Sequence, residues 1–263
     1  MRVEYVPLLG VLRDVYRRPR GRERFRAYLR TFVTADGTDV DLVPLTAANP
    51  MAKEHVAALV DALLAADADG RAAAAAAAAA AGYPDLPGTY RAGLAVCDDR
   101  AGGWTNRWAC ELRFRSPRPG ERRFWITPAA WSSEPADAGA VARAAAAAVH
   151  RTAYVLRHGP AVTLRDLLAQ EGYALAAAGF DGPTLDPEEA AYTRYVLADH
   201  LDATDPRTLI ECLFGDPAGA TLGFTPRGLS LWAGVALAVT DRRAGTMVPG
   251  GGERAFAGES GTA

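Results

Sequence analysis

Lysine is almost missing from this chain of 263 residues: 29 side chains are Lys or Arg, and Lys53 is the one Lys among them. Asn occurs twice (Asn49, Asn106), Gln once (Gln170) and Ile twice (Ile126, Ile210), while Ala is abundant, with the unbroken run Ala72 to Ala81. This is the composition of a GC-rich, bacterial type of genome, and it makes the scarce residue types informative. Arg replaces Lys as a solvated charge but not where a compact, deprotonatable amine is needed. Three Cys in so long a chain exclude a disulfide scaffold, and reduced thiols point to a cytoplasmic protein. No CxxC or HExxH marks a metal site, and no GxSxG, P-loop or GxGxxG names a reaction or a cofactor.

Long hydrophobic runs are missing too. The start, MRVEYVPLLGVLRD, carries Glu4, Arg13 and Asp14 around a short apolar stretch and does not read as a signal peptide. Ala136 to Leu156 is interrupted by Asp137, Arg143, His150 and Arg151, so no membrane span is expected. The formal net charge of −2 argues against nucleic acid or anionic membrane as a partner of the whole surface.

What is present reads as α+β. Apolar residues at helical spacing predict helices around Leu8–Tyr16, Phe25–Phe32 and Val56–Leu63, the last starting after Asn49 with Pro50 at its first position. Val40 to Leu45 suggests a short strand. The Ala run predicts another helix, because Ala has the best intrinsic helix propensity. Further helices are expected over Pro135–Arg157, from Thr163, and from Asp186-Pro187-Glu188-Glu189, which joins a cap, a first-turn Pro and acidic residues. Between these groups, Arg91–Cys97 and Trp104–Phe114 flank a turn at Asp98–Gly103, and Arg122–Thr127 follows a second turn. The expected architecture is a small antiparallel sheet at about 90–127, covered by N-terminal and C-terminal helices in a single domain, 1–243. The Gly-rich 244–263 reads as a disordered tail.

Three constellations carry candidate chemistry. In NPMAKEH (49–55), Lys53 and His55 fall at opposite edges of an apolar helical stripe, where a desolvated amine or an imidazole can serve as a base. The plainer alternative is a Lys whose stem packs while its head reaches water. In the expected hairpin, Asn106 faces Ala95 and Trp108 faces Gly93, with Arg107 between them in sequence, and Asp98, Asp99, Trp125, Thr127 and Glu134 lie close in sequence. Trp beside amides, hydroxyls and carboxylates is the composition of a small-molecule pocket; the alternative is an Asn bonded to local backbone. Spacing gives no support for a metal on Asp98, Asp99 and Glu134. Last, Arg13, Arg17, Arg18, Arg20, Arg22, Arg24, Arg26 and Arg30 face only Asp14 and Glu23 in their stretch. The leading expectation is a protein that binds a small polar or anionic molecule in a Trp-lined pocket, with catalysis open through Lys53 or His55. The alternative is a non-catalytic protein whose Arg-rich N-terminal helices hold an acidic protein or nucleic acid.

Overall fold

The computed structural model describes residues 1–100 and 105–245. Helix dominates, with eleven α-helices among the described residues. Strand β1 (Arg2–Tyr5) leads into α1 (Leu9–Tyr16), α2 (Arg22–Phe32), a 3-10 turn at Val43–Ala47, α3 (Glu54–Ala65) and α4 (Ala68–Ala81). Then come β2 (Thr89–Ala92), β3 (Ala95–Cys97), α5 (Arg107–Phe114), β4 (Ala129–Trp131) and α6 (Ala138–His158). The chain continues through α7 (Leu164–Ala177), α8 (Pro187–Ala198), α9 (Pro206–Phe214), α10 (Asp216–Ala220) and α11 (Ala233–Ala244). No helix among the described residues is long and apolar enough to cross a membrane.

The expected antiparallel sheet does not form. The strands make two short parallel pairs instead, β1 with β2 and β3 with β4. A parallel bridge from Ala92 to Ile126 and hydrogen bonds from Gly93 N to Ile126 O (3.1 Å) and Ala95 N to Pro128 O (2.9 Å) run 126–131 alongside 91–97. Parallel pairing needs crossovers. Helices α1–α4 lie between β1 and β2 in the chain, and α5 lies between β3 and β4.

Helix α5 is the largest correction. Residues 104–114 alternate like a half-buried strand, yet 107–114 coil into a helix. The residues Arg107 to Phe114 include no Val, Ile or Thr, and they hold Ala, Glu, Leu and Arg, all good helix formers. Trp108, Glu111 and Arg115, at helical spacing, form the buried side. Asn106 accepts a hydrogen bond from Ala109 N at 2.9 Å and caps the helix. Three smaller shifts accompany it. The strand expected at 40–45 is the 3-10 turn, and the one expected at 122–127 is displaced to Ala129–Trp131. Helix α3 starts at Glu54 with Lys53 as its cap residue, while Asn49 donates to Asp98 and accepts from Met51 N. Gly93 has a different role from the one expected: a Cβ there would lie 2.8 Å from Leu8 and 3.2 Å from Trp125, so its lack of side chain lets β2 pass under α1. Of the Gly-rich tail, Ala244 closes α11, and 246–263 lie outside the described residues.

Two hydrophobic clusters organise the packing. One joins α1, α3, α4 and the sheet to Val141, Ala145 and Val149 of α6; the other joins α7, α9 and α11 to Trp108 and to Ala147 of the same helix. Helix α6 thus has one side in each cluster, and α4, rich in alanine, packs closely along it.

Candidate functional site

In open parallel sheets the loops leaving the carboxyl ends of the strands converge, and there side chains from distant segments meet. Here β3 ends at Cys97 and β4 at Trp131, so Asp98, Asp99, Ser132 and Ser133 emerge side by side. Asp98 is buried and accepts from Asn49 Nδ2 at 2.9 Å and Ser132 Oγ at 2.9 Å, with His55 Nε2 2.8 Å away. Burial alone would push its carboxyl up, but the hydrogen bonds from His55, Asn49 and Ser132 outweigh burial and hold it below the usual carboxylate range. Asp99 accepts from Ser133 N at 2.9 Å and Ser133 Oγ at 2.6 Å. With Nε2 turned to a carboxylate, His55 carries its proton there and leaves Nδ1 without a hydrogen bond among the described residues.

Arg107, the first residue of α5, ties this cluster to a cavity. Its guanidinium lies between two indoles, 5.1 Å from the Trp108 centroid and 5.2 Å from that of Trp131. It pairs with Glu134 and lies 3.6 Å from Asp99. The adjoining cavity holds about 230 Å³ and is bounded by α5, β4, α6 and Trp232 ahead of α11. Its outer rim carries Glu134, Asp137, Arg143 and Asp181; its depth carries Arg115 and Arg151. Alanines of α6, Ala140, Ala144, Ala147 and Ala148, form one wall. Trp232 has φ 66°, a left-handed conformation that a bulky side chain adopts only where its surroundings force it. There its ring packs 5.6 Å from Trp108 and 5.0 Å from Phe214.

Beneath the cavity lies a buried charge network. Glu171 on α7 is 0% exposed and accepts from Arg151 Nε at 2.5 Å, Arg151 Nη2 at 2.8 Å and Arg115 Nη1 at 2.7 Å. Burial would raise this carboxyl, yet Arg151 and Arg115 outweigh it and bring it down to about 2. Arg115 also meets Glu111 at 3.1 Å. Two donors lining the cavity make no hydrogen bond among the described residues: Nε of Arg115, on a residue 8% exposed, and Nε of Arg107, which lies 3.9 Å from Glu111; Nε of Arg13, outside the cavity lining, is a third.

The structure gathers His55, Asp98, Asp99, Arg107 and Glu134 at the carboxyl edge and disperses the other sequence candidates. Lys53 is exposed, two residues before His55. Asn106 is spent as a helix cap, and Trp108 belongs to the core against Phe214, 5.5 Å away. Trp125 stacks under Arg91 at 4.1 Å and lines a second cavity of about 410 Å³. Thr127 lines both cavities, and its hydroxyl bonds Trp125 O. Sequence reasoning missed Arg115, Arg151 and Glu171. The available signal was position: Glu171 shares a helical stripe with Leu164, Leu167 and Leu175, and Arg151 shares one with Ala148 and Val155, so each puts a charge on an apolar face. Among the described residues no cluster of His, Cys, Asp and Glu is placed to hold a metal ion. No protein-family model, curated protein or solved structure matches this chain.

Proposed function

We propose that the protein binds a small polar molecule in the cavity beside Arg107 and Trp131. The observation that carries this reading is the pair of buried, unused Nε donors on Arg107 and Arg115, both lining that cavity. A buried donor without an acceptor costs about 1–3 kcal/mol, which a ligand acceptor atom would recover. The larger cavity beside Trp125 has no such donor among its lining residues.

Charge and size narrow the ligand. Four lining arginines (107, 115, 143, 151) face four lining carboxylates (Glu111, Glu134, Asp137, Asp181), and Glu171 stands behind them. A multiply charged phosphate would meet guanidinium groups that are already neutralised. A carbonyl, hydroxyl or single carboxylate on an apolar body suits the site better. A space of about 150 Å³ takes up a benzene ring, so about 230 Å³ accepts a ring with a short polar arm. His55, oriented by Asp98, is the candidate base of the neighbouring cluster and does not itself line this cavity. The free thiols Cys97, Cys110 and Cys212 support a cytoplasmic setting.

Thermal unfolding against aromatic carboxylates, the matching amides, nucleotides and inorganic phosphate tests this. At 100 times its dissociation constant a ligand adds about 2.7 kcal/mol, a shift on the order of 5 °C for a chain of this length. The expected result is a shift with the carboxylates or amides that disappears in Ala144→Leu, which puts a larger apolar side chain on the cavity's alanine wall and removes none of its charged groups. A flat panel, or a shift that survives Ala144→Leu, overturns the proposal.

A further inference from the structure

The arginine-rich N-terminal segment resolves into two populations. Arg24 is buried, donating to Tyr16 O at 3.0 Å and Arg18 O at 2.7 Å, while Arg17 and Arg18 pair with Asp14 and Glu23. Arg22, Arg26 and Arg30 are exposed and have no ion-pair partner among the described residues. They recur every fourth residue on α2, and Phe25 (38% exposed) and Leu29 (40%) run beside them at the same spacing. At about 100° per residue these five side chains cover roughly 140° of the helix surface. This is a basic stripe joined to a half-exposed apolar one.

Helix α8 carries the opposite pattern. Tyr192 (45%) and Tyr195 (75%) are exposed aromatics, and exposed Glu188 and Asp199 stand before and after them. The order Glu188, Tyr192, Tyr195, Asp199 keeps all four within about 60° of arc. Neither Glu188 nor Asp199 has an ion-pair partner among the described residues, though Tyr192 donates to Arg227 O at 2.8 Å. At 1.5 Å per residue the acidic ends of this stripe stand about 16 Å apart, against about 12 Å for Arg22 to Arg30. The lengths match closely enough for both ends to pair while Phe25 and Leu29 meet the tyrosines, and Arg above a Tyr face adds cation–π attraction.

We infer that the α2 face of one copy of this chain docks on the α8 face of another. The apolar residues within the basic stripe favour this occupant over nucleic acid, whose backbone offers them nothing to pack against. Because the two faces are different surfaces, the contact is heterologous and propagates into a ring or a short filament rather than stopping at a symmetric pair.

Sedimentation velocity over a concentration series, at about 0.1 M and about 1 M salt, tests the inference; across that range the Debye length falls from about 10 to about 3 Å. The wild type should associate at low salt, with a constant that falls roughly 10-fold at high salt, the loss expected of two exposed ion pairs. Two variants discriminate the faces: Arg22→Glu with Arg26→Glu, and Glu188→Arg with Tyr195→Ser. Each alone should be monomeric with an unchanged circular dichroism spectrum, and an equimolar mixture should yield a 1:1 dimer and nothing larger, since each partner keeps one working face. A monomeric wild type at low salt overturns the inference, as does a mixture that stays monomeric. So does binding of the α2 face to an acidic peptide, nucleic acid or anionic vesicles without self-association.

Discussion

Replacing Glu171 by Gln should be among the most damaging single substitutions in this chain. The carboxylate is fully buried between Arg151 and Arg115, and the amide would leave Arg151 without its counter-charge and Arg115 with Glu111 alone. Breaking a buried pair on one side costs about 3–5 kcal/mol. The acid limb gives an independent figure. Glu171 titrates near 2 in the folded chain against an ordinary value of 4.5, a difference worth about 3 kcal/mol. A depressed carboxyl stabilises the fold fully above its unfolded value, and that contribution is lost as pH falls from 4.5 towards 2. Calorimetry at neutral pH should show the melting temperature of Glu171→Gln lowered by roughly 10 °C. Between pH 5 and 2 the variant should lose less stability than the wild type, because it has already forfeited this group. Exchanging the charges together, as Arg115→Met, Arg151→Met, Glu171→Leu and Glu111→Gln, which also removes the partner of Arg115, should cost less than the single change, since no charge of the network is then stranded. A Glu171→Gln protein that melts within about 2 °C of the wild type would refute the argument that this carboxylate neutralises the arginines under the cavity.

Other substitutions separate architecture from site. Asn106→Ala should cost about 1 kcal/mol as a lost helix cap and leave any ligand-induced shift in melting temperature unchanged. Asp98→Ala removes the acceptor shared by Asn49, His55 and Ser132; unfolding should register a loss of about 1–3 kcal/mol, and the nitrogen spectrum of His55 should lose its fixed Nε2–H tautomer. Gly93→Ala presses a methyl against Leu8, which is itself fully buried, so denaturant unfolding should show a loss of about 1–3 kcal/mol with no change in ligand response.

The helices were legible where their ends carried chemistry. Thr163 with Asp166 forms a capping box, and Asp186 accepts from Glu189 N at 2.8 Å, so the sequence signals at those two starts have direct geometric counterparts. The sheet was not legible, for two physical reasons. Its strands are three or four residues long, too short for a period to be counted. The central segment Leu94-Ala95-Val96-Cys97 is buried throughout, so it reads as a short apolar run rather than an alternation. The neighbouring 104–114 does alternate, so the strand expected at 91–97 takes 104–114 as its expected partner instead of 126–131. Parallel pairing also joins segments tens of residues apart, and local pattern carries no information about that.

The site was half legible, and its two halves differ in kind. Asp98, Asp99 and Glu134 sit in loops beside turn and cap residues, where polar side chains stand out, so clustering by sequence found them without knowing that His55 would join. The cavity was hidden by composition. Its wall is alanine, in a chain where alanine is everywhere, and alanine alone does not make a void: Ala72, Ala76, Ala79 and Ala80 of α4 are buried in close packing along α6. What differs on the other side of α6 is the opposing surface, where Arg107, Arg115, Trp131 and Trp232 are too bulky and too committed to their own partners to close onto a methyl-lined helix. The informative residues are therefore the buried charges rather than the small ones. A Glu and an Arg placed on the apolar stripes of two adjacent helices, α7 and α6, announce a desolvated ion pair, and such a pair requires further polar groups around it, which here line a space large enough for a ligand.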